Sequence, residues 1–490
     1  MNNAIKRFAV KLAAGLTALS CIPFTAYADN LPGAEDALYD GSFYYSLNDD
    51  HTYTITQCTA TILTEVPTVR NGTAITAIGE GAFANCTEIS ELTIPDSVAS
   101  IAPNAFYGCI SLKKVTLPRK LKELGDHAFF SCSSLESVSI PDTIPAVQPY
   151  TFALCDNLAN VELSDNVTEL GDYAFYQCGA ISSFKLPASL STIGDNAMGS
   201  WFSIKDIDTS ANNAFTYENN MLTDKDKKSI IRASIDTADE LIIPEGTETI
   251  CSGAFSACAK LTSLHFPSSL KTIGDEAFSY CSALKNIDFA EGLEKIGYGA
   301  FMFDQSILSL SIPTTVSLID EKAFAYCMKL NKLVLPENVK TIGTEAFFVC
   351  DELKQVNVPK SVTEIGDDAF GYTVENSERQ KLSDFSLSVF SGSAGEKYAK
   401  SEKIEHTVTD VNIKKIAFIT ILVGLLAAAV VFGAVLMKRS KKLASSGARK
   451  AAKKAKELEA EKNYKKIMDD ESEAEKPTDD DSADSDDEEN

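Results

Sequence analysis

The chain has 490 residues, with 45 basic and 69 acidic side chains and a net charge of −24. This excess of negative charge argues against binding to nucleic acid, because the phosphates of the nucleic acid would be repelled. For a globular protein the length would indicate about three domains of ~150 residues each, but the repeats described below replace that estimate, because a solenoid grows by addition of units.

Residues 1–28 have the pattern of a secretory signal peptide. A basic start that contains Lys6 and Lys11 is followed by an apolar stretch, and Ala26-Tyr27-Ala28 then provides the small-x-small pattern of a cleavage site. We therefore predict that this segment is removed on export. The alternative is a lipoprotein signal that uses Cys21, because the three residues before it loosely resemble a lipobox.

Residues 29–77 lack the repeat that follows and are rich in Thr, Tyr and Val. Two stretches in this region, Tyr53-Thr-Ile-Thr and Ala60-Thr-Ile-Leu, show the short alternation that is typical of strands. A solenoid needs a terminal segment that shields its first unit from water. We assign that role, an amino-terminal cap, to residues 29–77.

From residue 78 one template of 23 residues recurs, approximately IGxxAFxxCxxLxxLxLPxxLxx. The apolar residue that opens each copy, called the anchor below, stands at Ile78, Ile101, Leu124, Val147, Leu170 and Ile193, and again at Ile250, Ile273, Ile296, Ile319, Ile342 and Ile365. A fixed period of this length is typical of a solenoid, in which each unit buries its apolar face against its neighbours. Repeats are therefore predicted over residues 78–197 and 250–370.

Each repeat contains signals for one short strand and one turn. Leu92-Thr93-Ile94 has the two-residue period of a strand whose Thr93 faces outward, and Pro95 ends it, because proline cannot donate to a strand ladder. Gly125 and Asp126 predict a turn, a helix N-cap and one helical turn. The sequence therefore predicts an α/β solenoid, shaped as an arc with one parallel β-sheet on its concave face at ~4.8 Å per coil.

The period is interrupted once, between Ile193 and Ile250, which are 57 residues apart. We assign residues 198–249 to an irregular insertion, in which polar residues that begin with Asn219-Asn220 lie between apolar runs and predict a hairpin coil. The insertion is either a ligand loop or only a wider coil. Its candidate surface residues are Trp201 and Tyr217.

After the last repeat, residues 371–415 are assigned to a carboxyl-terminal cap and a juxtamembrane linker. Residues 416–437 contain no charge and would span ~33 Å as a helix, enough for a bilayer core of ~30 Å. We predict one transmembrane helix here. Basic residues concentrate in the tail that follows, residues 438–490, which places this tail in the cytoplasm and the repeats outside a single-pass cell-membrane protein. The basic part of the tail is a candidate for binding anionic lipid, whereas its acidic end has a composition typical of disorder.

These motifs resemble the BspA-like class of bacterial leucine-rich repeats. Leu124-Gly-Asp-His-Ala-Phe-Phe-Ser-Cys132 and Ile342-Gly-Thr-Glu-Ala-Phe-Phe-Val-Cys350 are similar to its consensus, and Gly392–Lys400 is similar to its closing segment. The resemblance covers about residues 78–404. It implies a leucine-rich repeat fold and the role of a cell-surface binding protein, in a class that includes adhesins. It implies no catalytic residues. The chain departs from wall-linked members because it lacks an LPxTG sorting signal.

Nine cysteines occupy one position of the repeat: Cys86, Cys109, Cys132, Cys155, Cys178, Cys258, Cys281, Cys327 and Cys350. An exported, cysteine-rich chain normally suggests disulfides. Equivalent positions of stacked coils point their side chains in parallel, however, whereas a disulfide needs Cβ atoms ~3.8 Å apart and a strongly twisted torsion. We therefore interpret these residues as buried thiols that act as small apolar side chains.

No pattern in the sequence indicates catalysis. The four histidines have no second ligand at metal-binding spacing, and no CxxC, GxSxG or phosphate-binding loop occurs. We therefore predict no enzyme activity, no cofactor and no metal site. A polysaccharide hydrolase is disfavoured further, because no pair of catalytic carboxylates stands outside the repeat.

The outward positions of the predicted strands form two rows of side chains that are mostly small or polar. The first row contains Thr93, Thr116, Ser139, Glu162, Lys185, His265, Asp288, Ser311, Val334 and Asn357. The second row contains Glu91, Lys114, Ser137, Asn160, Ser183, Ser263, Asn286, Ser309, Lys332 and Gln355. Neither row has the aromatic anchors that dominate many interfaces, so this face is either a binding site or a solvated sheet surface.

The function that these features favour is a membrane-anchored surface protein that binds an extracellular protein or glycan, with adhesion as one such role. The alternative is an envelope scaffold or sensor, in which the cytoplasmic tail docks partners.

Overall fold

The computed structural model describes residues 38–409 and 448–472. Residues 38–409 belong to one compact unit, and residues 448–472 belong to a second one. The predicted signal peptide (1–28) and transmembrane segment (416–437) lie outside the described residues. Among the residues that are described, no helix is both long and apolar enough to cross a membrane.

The amino-terminal part of the first unit is built from five strands: β1 (Leu38–Tyr39), β2 (Phe43–Leu47), β3 (Tyr53–Cys58), β4 (Val69–Arg70) and β5 (Thr73–Ile78). Strands β1, β2 and β3 form an antiparallel meander, and β3 then pairs in parallel with β5. In that pairing Ile55 lies opposite Ile78, the first anchor. The amino-terminal segment therefore occupies the place of a preceding coil.

Each regular coil contributes two short strands, and most of them pair in parallel with the equivalent strand of a neighbouring coil, so that each row is divided into several sheets. The strands at the anchors are β7 (Ser100–Ile101), β9 (Glu123–Leu124), β11 (Ala146–Val147), β13 (Glu169–Leu170), β15 (Thr192–Ile193), β21 (Thr249–Ile250), β23 (Thr272–Ile273), β25 (Lys295–Ile296), β27 (Leu318–Ile319), β29 (Thr341–Ile342) and β31 (Glu364–Ile365). This row of anchor strands was missed by the sequence analysis, because two residues are too few to show a period.

The second kind of strand has three residues and is the one that the sequence predicted. These strands are β6 (Glu91–Thr93), β8 (Lys114–Thr116), β10 (Ser137–Ser139), β12 (Asn160–Glu162), β14 (Ser183–Lys185), β16 (Asp206–Asp208), β20 (Glu240–Ile242), β22 (Ser263–His265), β24 (Asn286–Asp288), β26 (Ser309–Ser311), β28 (Lys332–Val334) and β30 (Gln355–Asn357). Leu92 of β6 lies opposite Val115 of β8, and this register continues through β10 to β12. The first unit is thus a repeat solenoid of parallel strands with little helix.

The segment between the two strands of a coil is a series of tight turns, so the prediction of a helical turn is wrong. In the coil anchored at Leu124, His127 and Ser131 have φ values of 55° and 60°, in the left-handed region, and this conformation interrupts a right-handed helix. The cost of such residues, roughly 1–2 kcal/mol each, is offset by hydrogen bonds between coils. One of these joins the amide of Phe129 to the carbonyl oxygen of Thr151 at 2.9 Å.

The glycine after most anchors is required by the neighbouring coil rather than by the turn. Gly125 does not have a positive φ, yet a Cβ atom at this position would lie 2.4 Å from the backbone nitrogen of Pro103. Gly343 shows the same close approach, with 2.4 Å to the backbone nitrogen of Glu321. Glycine is therefore selected here by the small distance between stacked coils.

Two columns of side chains fill the core of the repeats. The first consists of stacked phenylalanines, such as Phe301 and Phe324, whose parallel rings have centroids 5.2 Å apart. The second is the column of aligned cysteines, most of which are fully buried. The thiol of Cys132, for example, donates to the carbonyl oxygen of Phe106, in the preceding coil, at 3.2 Å. These contacts agree with the interpretation of the cysteines as core residues.

The interruption of the period consists of one lengthened coil and one shortened coil. The lengthened coil carries a hairpin of β17 (Phe215–Glu218) and β18 (Met221–Asp224), joined at Asn219 and Asn220. Both asparagines have a positive φ, as a two-residue hairpin turn of this type requires. Strand β19 (Ser229–Ala233) pairs antiparallel with β18 and parallel with β21. The hairpin therefore takes the place beside β19 that the preceding anchor strand would occupy.

The shortened coil lacks part of its turn segment, and Arg232 compensates for the loss. In this coil Ile230 is paired with the anchor Ile250, and Leu241 with Leu264, so the chain between the two strands is three residues shorter than usual. Arg232 is fully buried. Its guanidinium group donates to four acceptors: the carbonyl oxygens of Gly253 (2.5 Å), Trp201 (2.9 Å) and Ser256 (3.2 Å) and the Ser256 hydroxyl (2.8 Å). Burial lowers the pKa of Arg232 to about 10.

The carboxyl-terminal end of the solenoid is closed by a hairpin, two strands and a helix. These elements are β32 (Tyr372–Glu375), β33 (Glu378–Lys381), β34 (Ser386–Val389), α1 (Ala394–Ser401) and β35 (Glu405–Val408). Ser393 caps α1, because its hydroxyl accepts a hydrogen bond from the amide of Glu396 at 3.2 Å. This helix overlaps the segment that is similar to the closing segment of the BspA-like class. The second unit contains the helix α2 (Ala448–Ser472), whose side chains are exposed over residues 453–465.

One residue of the apolar core carries an acidic side chain. Asp304 stands where the repeat has cysteine, is fully buried, and has no hydrogen-bond partner for either carboxyl oxygen. Burial raises the pKa of Asp304 well above its usual range, so the folded protein holds this carboxyl as the neutral acid.

This burial makes the stability of the solenoid depend on pH. As the pH rises above about 3.9, the unfolded chain releases the proton of Asp304 while the folded chain retains it, so the free energy of unfolding falls. We expect Asp304→Cys to remove this loss and to stabilise the protein by ~1–3 kcal/mol at neutral pH. Urea unfolding of both proteins at several pH values measures the effect. If the free energy of unfolding of the two proteins changed equally with pH, this role of Asp304 would be contradicted.

Candidate binding face

The three-residue strands present one continuous row of exposed positions on each side of a buried middle residue. In β6, for instance, Glu91 and Thr93 are exposed, and Leu92 between them is buried. We call the surface formed by these flanking residues the outward strand face. It contains every residue of the two rows predicted from the sequence. Most of them are exposed, and Ser137, Ser263 and His265 are partly buried.

The structure adds two strands to this face that the sequence analysis did not include. Strand β16 pairs with β14 and places Asp206 and Asp208 beside Ser183 and Lys185. Strand β20 pairs with β22 and contributes Glu240 and Ile242. Both strands keep the 23-residue spacing, since Asp206 follows Ser183 by 23 residues and Glu240 precedes Ser263 by 23 residues. They were not included because residues 198–249 had been assigned to an irregular insertion. The alternation of polar and apolar residues in Asp206-Ile-Asp was the signal that could have identified β16.

The centre of the face is acidic and surrounds one histidine. The two ring nitrogens of His265 lie 3.3 Å from a carboxylate oxygen of Glu240 and 3.4 Å from one of Asp288, which belong to the strands on either side. Asp208 is held ionised, since hydrogen bonds from the hydroxyl and amide groups of Ser210 lower its pKa. The middle of the face therefore has a negative potential, which would attract a basic partner surface.

Two apolar side chains interrupt the polar rows. Ile242 is 70% exposed beside His265, and Val334 is 46% exposed further along the same row. Single exposed apolar residues of this kind are common on protein surfaces. They do not form a contiguous apolar patch, so the face is predominantly polar.

The predicted surface of the insertion is only partly correct. Trp201 is not on the surface: it is fully buried, takes the place of the repeat cysteine, and donates its indole N–H to the carbonyl oxygen of Phe175 at 2.8 Å. Its ring packs against Phe184 in the core, with centroids 5.0 Å apart. The expectation for Trp201 is therefore wrong, because the lengthened coil needs a large side chain in its core.

Tyr217 lies on β17 and is partly buried. Its hydroxyl donates to the carbonyl oxygen of Lys205 at 3.1 Å, and its amide donates to the hydroxyl of Thr209 at 3.2 Å. Burial raises the pKa of Tyr217 above its usual value, so the phenol stays neutral. These contacts attach the hairpin to the solenoid, which leaves only part of the ring available for a ligand.

The part of the chain that the structure describes contains no cluster of metal-binding side chains. Within residues 38–409 and 448–472, no group of three or more His, Cys, Asp or Glu side chains converges to hold a metal ion. A small cavity of ≈ 30 Å³ lies at the insertion, next to Asn196, Met198, Ile231 and Cys251. A cavity of this size has room for about one water molecule, so it cannot hold a small-molecule substrate. The arrangement of this site is suited to binding at a surface.

The sequence of the repeats matches an established family model. The model that describes the BspA-type leucine-rich repeat region matches residues 76–222 and 248–377, which together make up more than half of the chain. The chain belongs to the BspA-type leucine-rich repeat family. The gap in the match, residues 223–247, contains β19 and β20, so the shortened coil is the part of the solenoid that departs from the family pattern.

Solved structures show the same fold as this BspA-type solenoid. One is a leucine-rich cell surface protein from Faecalibacterium prausnitzii, with a TM-score of 0.54 and 28% identity over 77% of this chain and 98% of that protein. Another is the pneumococcal vaccine antigen PcpA, with a TM-score of 0.54 and 18% identity over 77% of this chain and 99% of that protein. No curated protein sequence matches the chain.

Proposed function

We propose that this chain is a non-enzymatic bacterial cell-surface protein that binds an extracellular protein or glycan through the outward strand face. The observation that carries the proposal is the repetition of this face from coil to coil. Its two exposed polar rows follow the strands of consecutive coils, and a solenoid uses such an extended surface to bind a macromolecule. The Faecalibacterium prausnitzii protein of the same fold, which is described as a cell surface protein, supports the location.

The proposed shape of the solenoid is an arc, and its proposed anchor is a membrane helix. We place the outward strand face on the concave side of a leucine-rich repeat arc, where a partner would contact several coils at once. The signal peptide at residues 1–28 and the membrane helix at residues 416–437 would leave the repeats outside the cell and the carboxyl terminus in the cytoplasm. Adhesion is the role that fits such an anchored binding surface. The basic part of the tail would contact anionic lipid.

Neutralising the acidic centre of the face tests the proposed surface. The variant carries Asp206→Asn, Asp208→Asn, Glu240→Gln and Asp288→Asn, and the purified extracellular part is applied to arrays of matrix proteins and glycans. We expect the affinity for a ligand found with the natural protein to fall by about tenfold or more. The loss of complementary charge slows the association of the ligand with the face and weakens the contacts between them.

A matched control neutralises four exposed carboxylates outside the outward strand face, at Glu123, Glu169, Glu294 and Glu364. It removes the same net charge and should change the affinity by less than about twofold, since distant surface charges are screened. Equal affinity of the natural protein and the face variant would show that the partner binds elsewhere.

A further inference from the structure

The first member of the thiol column differs from the others. Cys109 and Cys132 are buried, and each donates to a carbonyl oxygen of the preceding coil, that of Phe83 at 3.1 Å and that of Phe106 at 3.2 Å. Cys86 belongs to the first repeat, which has the amino-terminal strands instead of a regular coil in front of it. It is only partly buried, and it lies in the same apolar cluster as a second cysteine, Cys58, near enough for each thiol to shift the pKa of the other.

The amino-terminal strands hold Cys58 firmly against the first repeat. Cys58 ends β3, pairs with Phe43 of β2, and donates its amide to the carbonyl oxygen of Ala82 at 2.6 Å. Ala82 lies on the same turn segment as Cys86. The backbone of Cys58 is thus fixed to the segment that carries the second thiol, and both side chains lie in the same apolar cluster.

Cys58 and Cys86 are not equivalent positions of two stacked coils. Ile55 of β3 pairs with the anchor Ile78. Cys58 therefore stands three residues after its anchor position, whereas Cys86 stands eight residues after Ile78. Parallel side chains at equivalent positions disfavour disulfides within the thiol column. Cys58 and Cys86 are not equivalent, so this constraint does not apply to them. The nearby thiol of Cys58 also lowers the pKa of Cys86, which favours the thiolate at the more exposed of the two residues.

We propose that Cys58 and Cys86 form a disulfide that fastens the amino-terminal strands to the first repeat. The oxidant is the disulfide of a thiol–disulfide oxidoreductase or of a small thiol such as glutathione. The Cys86 thiolate attacks one sulfur of that disulfide and releases the other as a thiol. The Cys58 thiolate then attacks the Cys86 sulfur of the mixed disulfide, the S–S bond between Cys58 and Cys86 forms, and the second thiol leaves. The two cysteines lose two electrons and two protons, and the oxidant gains them.

This inference rests on the proposed location outside the cytoplasm, where disulfides persist. The end of a solenoid is the part that opens most readily, because its terminal unit has only one neighbour. A disulfide at this end would close a loop of about 28 residues and limit the freedom of the opened strands. It would therefore protect the first repeat of an exported protein from fraying and proteolysis.

The test uses the purified full-length protein in detergent, oxidised with glutathione disulfide, denatured, alkylated without reduction and mapped by mass spectrometry. We expect a linked pair of peptides that contain Cys58 and Cys86, and we expect the other cysteines of the repeats to carry the alkylating reagent. Hydrogen exchange of the β2 and β3 amides should be slower by on the order of tenfold in the oxidised protein than in the reduced one.

Two variants separate the disulfide from a general effect of oxidation. Cys58→Ser should abolish the redox dependence of exchange in β2 and β3, whereas Cys109→Ser should retain it. Alkylation of both Cys58 and Cys86 after oxidation, or a link between Cys86 and Cys109 instead, would overturn the proposal. Because oxidation is performed on purified protein, its outcome does not depend on export, which protease treatment of intact cells tests separately.

Discussion

Replacement of Phe324 by alanine is expected to lower the free energy of unfolding by ~3–5 kcal/mol. Phe324 is fully buried, and its ring stacks between those of Phe301 and Phe347, with centroid distances of 5.2 and 5.4 Å. Each neighbouring ring belongs to a different coil, so the substitution creates a cavity that contacts two interfaces. The stacked backbones cannot close this cavity without breaking the hydrogen bonds between coils, for example from the amide of Phe324 to the carbonyl oxygen of Ala346 at 2.8 Å.

Urea unfolding followed by circular dichroism measures the effect of the Phe324 substitution. The matched control is Ser311→Ala in the neighbouring coil, because Ser311 is exposed on the outward strand face. It should change the free energy of unfolding by no more than ~0.5 kcal/mol. A loss below about 1 kcal/mol for Phe324→Ala, set against the usual ~3–5 kcal/mol for such a truncation, would contradict the stacked column of phenylalanines.

Replacement of Arg232 by methionine is expected to destabilise the protein by roughly 3 kcal/mol or more, because buried acceptors left without donors cost about 1–3 kcal/mol each. The carbonyl oxygens of Trp201 and Ser256 lose the guanidinium donor in this variant, whereas the carbonyl oxygen of Gly253 still accepts from the amide and the hydroxyl of Ser256. Methionine fills much of the same volume, so the loss reports on hydrogen bonding rather than on a cavity. Arg232→Lys should also destabilise, since one ammonium group cannot reproduce the planar guanidinium fork.

Thermal unfolding followed by the fluorescence of Trp201, the single tryptophan of the chain, measures the effect at this position. The control is Lys228→Met, which removes the same charge nearby but breaks only an exposed ion pair with Glu248, at 2.7 Å. Exposed pairs of this kind contribute ~0–1 kcal/mol. Equal melting temperatures for Arg232→Met and Lys228→Met would show that the buried guanidinium does not hold the two flanking coils together.

The repeat made most of the fold predictable from the sequence. The anchors, the buried phenylalanines and the three-residue strands all follow from apolar positions that recur at fixed offsets, as the burial of Leu92 between Glu91 and Thr93 shows. Because the period recurs in many copies, a departure in one copy does not obscure the pattern of apolar positions. Phe324, five residues after the anchor Ile319, is buried as this fixed offset requires.

The features that the sequence missed depend on contacts between coils. The turn segment resembled a helix because a glycine followed by an aspartate usually opens one, but hydrogen bonds between coils select left-handed residues such as His127 instead. The roles of Trp201 and Arg232 were also missed. Trp201 stands at the cysteine position of the repeat, 23 residues after Cys178, but its large side chain did not resemble the small residue of the other copies. Arg232 lies in the shortened coil, where its position depends on how neighbouring coils of different lengths meet.

Within the candidate site, the two rows were predicted, but the acidic centre was missed. Alternation of exposed and buried residues places Thr93 and Ser311 on the surface wherever the period holds. Asp206, Asp208 and Glu240 obey the same 23-residue spacing, but they lie in residues 198–249, which were assigned to an irregular insertion. The identity of a partner depends on the shape and charge of the assembled face, which a single sequence does not encode position by position.

The proposed binding role is tested most directly by the side of the membrane on which the repeats and the carboxyl-terminal tail lie. Protease is added to intact cells whose wall has been permeabilised, and the fragments are detected with one antibody against the repeats and another against residues 473–490. Because a membrane helix at residues 416–437 would separate the two regions, we expect the repeats to be removed and the tail to be protected. Protection of the repeats would contradict a surface-exposed binding solenoid, and digestion of the tail together with the repeats would contradict the membrane helix that separates them.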